Sequence, residues 1–342
     1  MAMDRHDRLF SWVYAFCCLV FVGGLYLDGW SHQYLFDQID SFFNVWHFTL
    51  YAGYAMSAGT LILWTHVRRQ GQGRWMDAVP AGHVLTLLGV LLFLGGGAMD
   101  LLWHETFGFE KDIEGLISPS HLILAVGMSL MFSGGIRHWF ARHSSDDRTG
   151  FWRSIPLLVA MVSTLGQWTF LTQYARYTDF NATGPLPPDS FYILCTQSIS
   201  FLGILLFSAL FTGLVATVIR RVRLPFGALT FILTVQFLAL GYIRFGCWLA
   251  IAAAVAGLIG DILVLQLKPQ RSNSGLLWIS FAVPAVLYAG VFLILDTEPG
   301  GLWWSLHLWT GVPFFAGIAG LLTGLVAVGG AHKELPRGKR VG

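Results

Sequence analysis

Asp28, His32 and His47 stand in the stretch DGWSHQYLFDQIDSFFNVWH, and Asp100, His104 and His121 in the stretch DLLWHETFGFEKDIEGLISPSH. In each stretch a carboxylate and an imidazole are four residues apart, so on a helix they share a face. A second imidazole follows beyond a loop, at the opening of the next apolar segment, where it can lean back toward the first two. Each stretch therefore offers one carboxylate oxygen and two imidazole nitrogens, an open three-ligand set. Such a set suits copper, zinc or non-haem iron and leaves coordination positions for water, oxygen or a substrate. Ligand type alone does not choose among these metals. A hydrogen-bonded pair closing a helix end would explain one copy; two copies in register favour a metal.

The register extends beyond the ligands. Both stretches are preceded by Gly-Gly and followed by His-x5-Gly, which pairs Gly53 with Gly127. Weaker echoes come later in the chain. Gln173 or Arg176 with Gln197 and Gly203 keep the frame with altered chemistry, and Asp296 with His307 keeps part of it. The sequence predicts five helical hairpins, two fully equipped and the others degraded. Residues 1–140 would form the duplicated metal-site hairpins and residues 141–342 a second membrane half.

The elements that position these residues are apolar helices. Hydrophobic residues make up 55% of the 342 residues and charged residues only 12%, far from a soluble composition. Ten apolar segments recur, near 9–27, 43–66, 80–99, 119–136, 154–174, 191–219, 226–243, 247–267, 275–295 and 303–330, most of them of membrane-crossing length. The expected fold is an all-α polytopic membrane protein of about ten transmembrane helices. The first segment lacks a cleavage site before Asp28 and is expected to be retained. Cys17, Cys18, Cys195 and Cys247 lie in apolar segments without a CxxC pair and are expected to be buried small hydrophobes.

Charge orients the chain. Of the 21 Lys and Arg, 18 fall at the termini and in alternate loops, leaving Lys111, Arg176 and Arg244 on the other side. The positive-inside rule then places both termini in the cytoplasm and both triads on the extracytoplasmic side of a membrane, expected to be a bacterial or archaeal cytoplasmic membrane. Ionisable residues near membrane depth point to function. Glu105, Glu110 and Glu114 are candidate partners for imidazole N–H groups, with Glu105 also a possible base, although a solvated loop is the plainer reading. Pro119 suits the first turn of a helix with Ser118 as its cap. His6, His66, His83, His138, His143 and His332 are expected at the solvated cytoplasmic boundary. Gln167, Gln173 and Gln197 suit a polar cavity or interhelical hydrogen bonds equally. Nothing in the basic residues points to nucleic acid.

The tandem motifs resemble the C subunit of copper membrane monooxygenases, the particulate methane, ammonia and hydrocarbon monooxygenase family. DGWSH with His47 resembles that family's first motif, and HETFGFEKDIEGLISPSH resembles the segment joining the two histidines of its second. The resemblance covers about residues 20–135. The His-to-His gaps here are longer, and Asp100 stands where the family commonly has Asn. It implies one copper at Asp28, His32 and His47 and another at Asp100, His104 and His121. It also implies an oxidoreductase acting on a small apolar substrate, with further membrane subunits and a quinol or other electron donor as partners. Two other functions fit the same residues. One is a zinc-dependent membrane hydrolase of a lipid amide or ester, with Glu105 or Asp100 as general base. The other is a copper-handling or structural subunit without catalysis.

Overall fold

The computed structural model describes residues 5–35, 42–69, 73–108, 113–144, 147–175, 190–244 and 247–331. Glu110, Lys111, Arg176, His332, the Asn181 sequon and the Pro-rich 185–188 stretch lie outside them. Ten long helices occupy the ten apolar segments: α1 (Arg5–Tyr34), α2 (Val45–Arg69), α3 (Val84–Phe107), α5 (Pro119–Arg142), α6 (Phe151–Leu171), α7 (Ser190–Ile219), α8 (Ala228–Arg244), α9 (Leu249–Leu267), α10 (Asn273–Leu295) and α11 (Leu306–Ala331). A single turn, α4 (Glu114–Ile117), precedes α5. Eight of the ten are long and apolar enough to cross a membrane. α2 is rich in Tyr, Ser, Thr and His and ends in Arg68 and Arg69, and α8 is short at 17 residues.

Helix ends follow local chemistry. Pro119 opens α5 at its first position, where its missing N–H is no loss. Gly108 closes α3 at φ 81°, donating its N–H back to the His104 carbonyl. Asn44 caps α2: its Oδ1 accepts from the N–H groups of Trp46 and His47, both at 2.9 Å.

The site is built by two helix pairs, α1 along α2 and α3 along α5. Lipid is as apolar as leucine, so helices in a membrane associate through close packing more than through hydrophobic burial. Gly53 and Gly127 show how. A Cβ on Gly53 would lie 2.3 Å from Phe21 Cα, and one on Gly127 would lie 2.8 Å from Phe93 N. Phe21 precedes Asp28 by seven residues, as Phe93 precedes Asp100, so the two crossings are copies of each other. The Phe21 and Phe93 rings then meet edge to face at 5.0 Å, joining the pairs. The repeated His-x5-Gly spacing thus fixes the height at which each second histidine faces its carboxylate.

The far ends of the same helices are tied by charge. Arg68 of α2 donates to Asp7 Oδ1 at 2.9 Å, and Arg142 of α5 donates to Asp7 Oδ2 at 2.7 Å. Asp7 of α1 is itself buried. His83 and His138, expected at a solvated boundary, are buried instead among Phe10 and Tyr14. Nδ1–H of His138 donates to the Ala81 carbonyl at 2.7 Å, and that bond lets the ring leave water.

α6 joins the two halves. It packs on α5, α1 and α8, while α7 lies chiefly along α11, so α6 and α7 do not form the close hairpin expected for the third repeat. Gln236 of α8 donates to Tyr26 Oη of α1 at 3.1 Å, and Tyr26 donates to the Gly166 carbonyl of α6 at 3.0 Å. Gln167 donates to the Ala125 carbonyl and to Ser129 of α5, so it serves as an interhelical tie. Beyond α6, helices α8, α9, α10, α11 and α7 pack in succession. Buried Asp261 of α9 accepts from the N–H groups of Leu229 and Thr230, each at 3.0 Å, and so caps α8 from a neighbouring helix.

Candidate metal centre

Four residues of helix spacing and one close helix crossing bring each triad together. The donor atoms of Asp28, His32 and His47 all lie within 4.8 Å of one another, as do those of Asp100, His104 and His121. In the first triad the two Nε2 atoms are 3.3 Å apart, and Asp28 lies 3.6 Å from His47 Nε2 and 4.0 Å from His32 Nε2. In the second, Asp100 Oδ1 lies 3.6 Å from both His104 Nε2 and His121 Nε2. A tetrahedral shell with bonds of 2.0–2.1 Å has edges of about 3.3–3.4 Å, and the shorter separations in both clusters fall within a few tenths of an ångström of that. Asp28 Oδ1 is buried and, among the described residues, accepts no hydrogen bond. A buried carboxylate oxygen without a donor is costly, and a cation offsets that cost.

The outer nitrogens are held by groups that fix each ring. His47 Nδ1 meets the Phe42 carbonyl at 2.7 Å, which requires an N–H there and leaves Nε2 as the ligating atom. His104 Nδ1 meets the Gly108 carbonyl at 3.4 Å. His121 Nδ1 meets Ser118 Oγ at 2.5 Å. Asp100 Oδ1 accepts from Ser120 Oγ at 2.8 Å. Three imidazoles thus turn Nε2 inward while a carbonyl or hydroxyl holds the outer nitrogen, the arrangement typical of histidines that bind metals.

The two triads are neighbours. The His47 and His104 rings stack with centroids 6.5 Å apart and 28° between planes. Phe42 packs on both, at 4.8 Å from His47 and 6.1 Å from His104, and Tyr51 packs on Phe42 at 6.0 Å.

Other candidates lie elsewhere. Glu105 is exposed, one step round the helix from the face that carries Asp100 and His104, and Glu114 is exposed too. Both are solvated, as the plainer reading had it, and the outer imidazole nitrogens meet backbone carbonyls and Ser118 instead, because a residue next to His104 on the helix points about 100° away. Ser118 occupies the cap position of α5, yet its side chain makes no capping bond. His307 and Asp296 are exposed and join neither triad. Cys17 and Cys18 are buried as expected, whereas Cys247 is exposed. Ser120, Asn44 and Phe42 were not singled out from sequence. One signal was available: a helix-capping residue precedes the second histidine by three in both copies, as Asn44 and Ser118. No family model, no curated protein and no solved structure matches the chain.

Proposed function

We propose that this integral membrane protein holds copper in its paired Asp/His triads and oxidises a small apolar substrate there, as a monooxygenase. The observation that supports this best is the side-by-side placement of two open three-ligand clusters at one end of the bundle. The motif resemblance to the copper membrane monooxygenases favours copper over zinc or iron.

Copper bound by two imidazoles and a carboxylate, with coordination positions to spare, would supply the redox chemistry for reaction with dioxygen. In such a reaction one oxygen atom of O2 enters a C–H bond and the other leaves as water. Two electrons and two protons complete the balance, and a quinol, becoming quinone, is a donor of the right class. The chain's own aromatic residues wall the site on one side: Phe42 packs on His47 and His104, and Tyr51 packs on Phe42. An apolar substrate dissolved in the bilayer would reach it along the exposed apolar faces of α2 and α3, which include Phe48, Leu94 and Leu102.

Elemental analysis of the detergent-purified protein, beside an Asp100→Ala, His104→Ala, His121→Ala variant, tests this reading. Copper in the parent and less in the variant supports it, and oxygen-dependent hydroxylation is then assayed. Stoichiometric zinc would redirect the reading to a metal hydrolase. No bound metal after attempted reconstitution would overturn it.

A further inference from the structure

The two triads match in ligands but not in what surrounds them. In the second, hydrogen-bond direction can be assigned from one end to the other. The ionised Asp100 carboxylate only accepts, so Ser120 Oγ–H must donate to Oδ1 at 2.8 Å. Ser120 Oγ therefore accepts from Ser118 Oγ–H, 3.2 Å away. Ser118 Oγ in turn accepts from His121 Nδ1–H at 2.5 Å. That leaves His121 Nε2 without a proton and turned toward the same Asp100 oxygen at 3.6 Å. The chain His121–Ser118–Ser120–Asp100 closes on itself through the space where an ion would sit. Both serines are buried.

Among the described residues no such ring is seen at the first triad. Ser31, the nearest serine in sequence, donates to the main-chain oxygen of Asp28 at 2.7 Å and not to its carboxylate. Among the described residues Asp28 Oδ1 has no hydrogen-bond donor, and His32 is the most exposed ligand of its triad. Ser118 carries a second sign of function. It stands at the cap of α5 but commits its hydroxyl to His121 rather than to a backbone N–H. A serine in that position ordinarily stabilises the helix through its cap bond.

We propose that Ser118 and Ser120 are positioning residues that make Asp100, His104 and His121 the tighter, first-filled metal site of the pair. His47 has its tautomer set by the Phe42 carbonyl, so the difference lies in the carboxylates: fixing Asp100 beforehand removes the ordering that Asp28 must undergo when an ion arrives. The inference rests on the metal-binding reading, and its test separates the two. Cu(II) alone is titrated into detergent-solubilised, metal-stripped protein in two backgrounds. One carries Asp28→Ala, His32→Ala and His47→Ala; the other carries Asp100→Ala, His104→Ala and His121→Ala. The second triad by itself is expected to bind more tightly than the first by itself.

In the background that retains the second triad, Ser120→Ala and Ser118→Ala are each expected to weaken binding by about 10–100-fold. Ser118→Thr, which keeps the hydroxyl, should restore most of the loss. Pulsed electron paramagnetic resonance adds a readout that mere packing would not move. The signal of the remote imidazole nitrogen should shift in Ser118→Ala and return in Ser118→Thr. Ser31→Ala should leave the first triad's affinity unchanged. Equal affinities in the two backgrounds, or no change in either serine variant, would overturn the inference while the metal reading stands. No Cu(II) bound in either background would overturn both.

Discussion

His47 and His104 belong to different triads, yet their rings stack at 6.5 Å, only slightly farther apart than His104 and His121, which share one triad at 6.0 Å. The contact arises because the two helix pairs meet through Phe21 and Phe93 one level below it. A metal held by one histidine therefore lies within strong electrostatic reach of a metal held by the other.

Loading of the two triads should be anticooperative. If each filled site carries a net single positive charge and the ions are roughly 7 Å apart, an effective dielectric of about 20 gives a repulsion of about 2 kcal/mol. The second ion should then bind about 30-fold more weakly than it does alone. Stepwise titration of the intact protein against the two single-triad variants measures this difference. Independent, unshifted affinities would show that the sites do not sense each other.

Metal affinity should fall as pH falls. Each triad presents two imidazoles that must be neutral to bind, so protons compete with the ion for both nitrogens. Stability conferred by the metal is thus present at higher pH and lost on acidification through the imidazole range. Thermal unfolding of the metal-loaded and metal-free protein, compared across pH, should converge at acid pH. A difference that stays constant to pH 5 would contradict histidine ligation.

Gly53→Ala and Gly127→Ala should each damage a site six residues away. The added Cβ would fall 2.3 Å from Phe21 Cα in the first case and 2.8 Å from Phe93 N in the second, so the helices must part. Overpacking of this kind costs about 1–3 kcal/mol. Each variant should lose metal at its own triad first, which copper stoichiometry in the single-triad backgrounds would reveal. Gly59→Ala is the control, since a Cβ there meets nothing within 4 Å.

Asp7→Ala and Asp261→Ala should lower stability without changing the ligands. Removing Asp7 leaves two partly exposed guanidinium groups unpaired. Solvent screens them in part, which brings the loss to on the order of 2–3 kcal/mol. Removing Asp261 strips the N–H groups of Leu229 and Thr230 of their acceptor inside the bundle, a loss of on the order of 2–4 kcal/mol. Melting temperature in detergent should fall for both variants while metal content at saturating copper is retained. Loss of metal from Asp261→Ala would show that the second half shapes the site directly.

Much of the fold and the two Asp/His clusters were legible in the sequence, because they rest on local periodicities. Apolar run length marks helices that suit a bilayer, four-residue spacing puts Asp28 with His32 and Asp100 with His104, and an internal repeat exposes the second histidines. The sequence does not encode in any local pattern which helices touch. Only the tertiary structure brought His47 against His104, placed α7 along α11 instead of α6, and drew His83 and His138 away from water. Asp261 reads as a lone charge in an apolar run, and its reason is a helix end more than 30 residues earlier in the chain. Ser118 reads as a helix cap; its bonds to His121 and Ser120 are local, and only the packing of α5 on α3 carries them on to Asp100. Spacing along one helix determines which side chains share a face, whereas contacts between helices depend on the summed packing of many weak surfaces that no short segment carries.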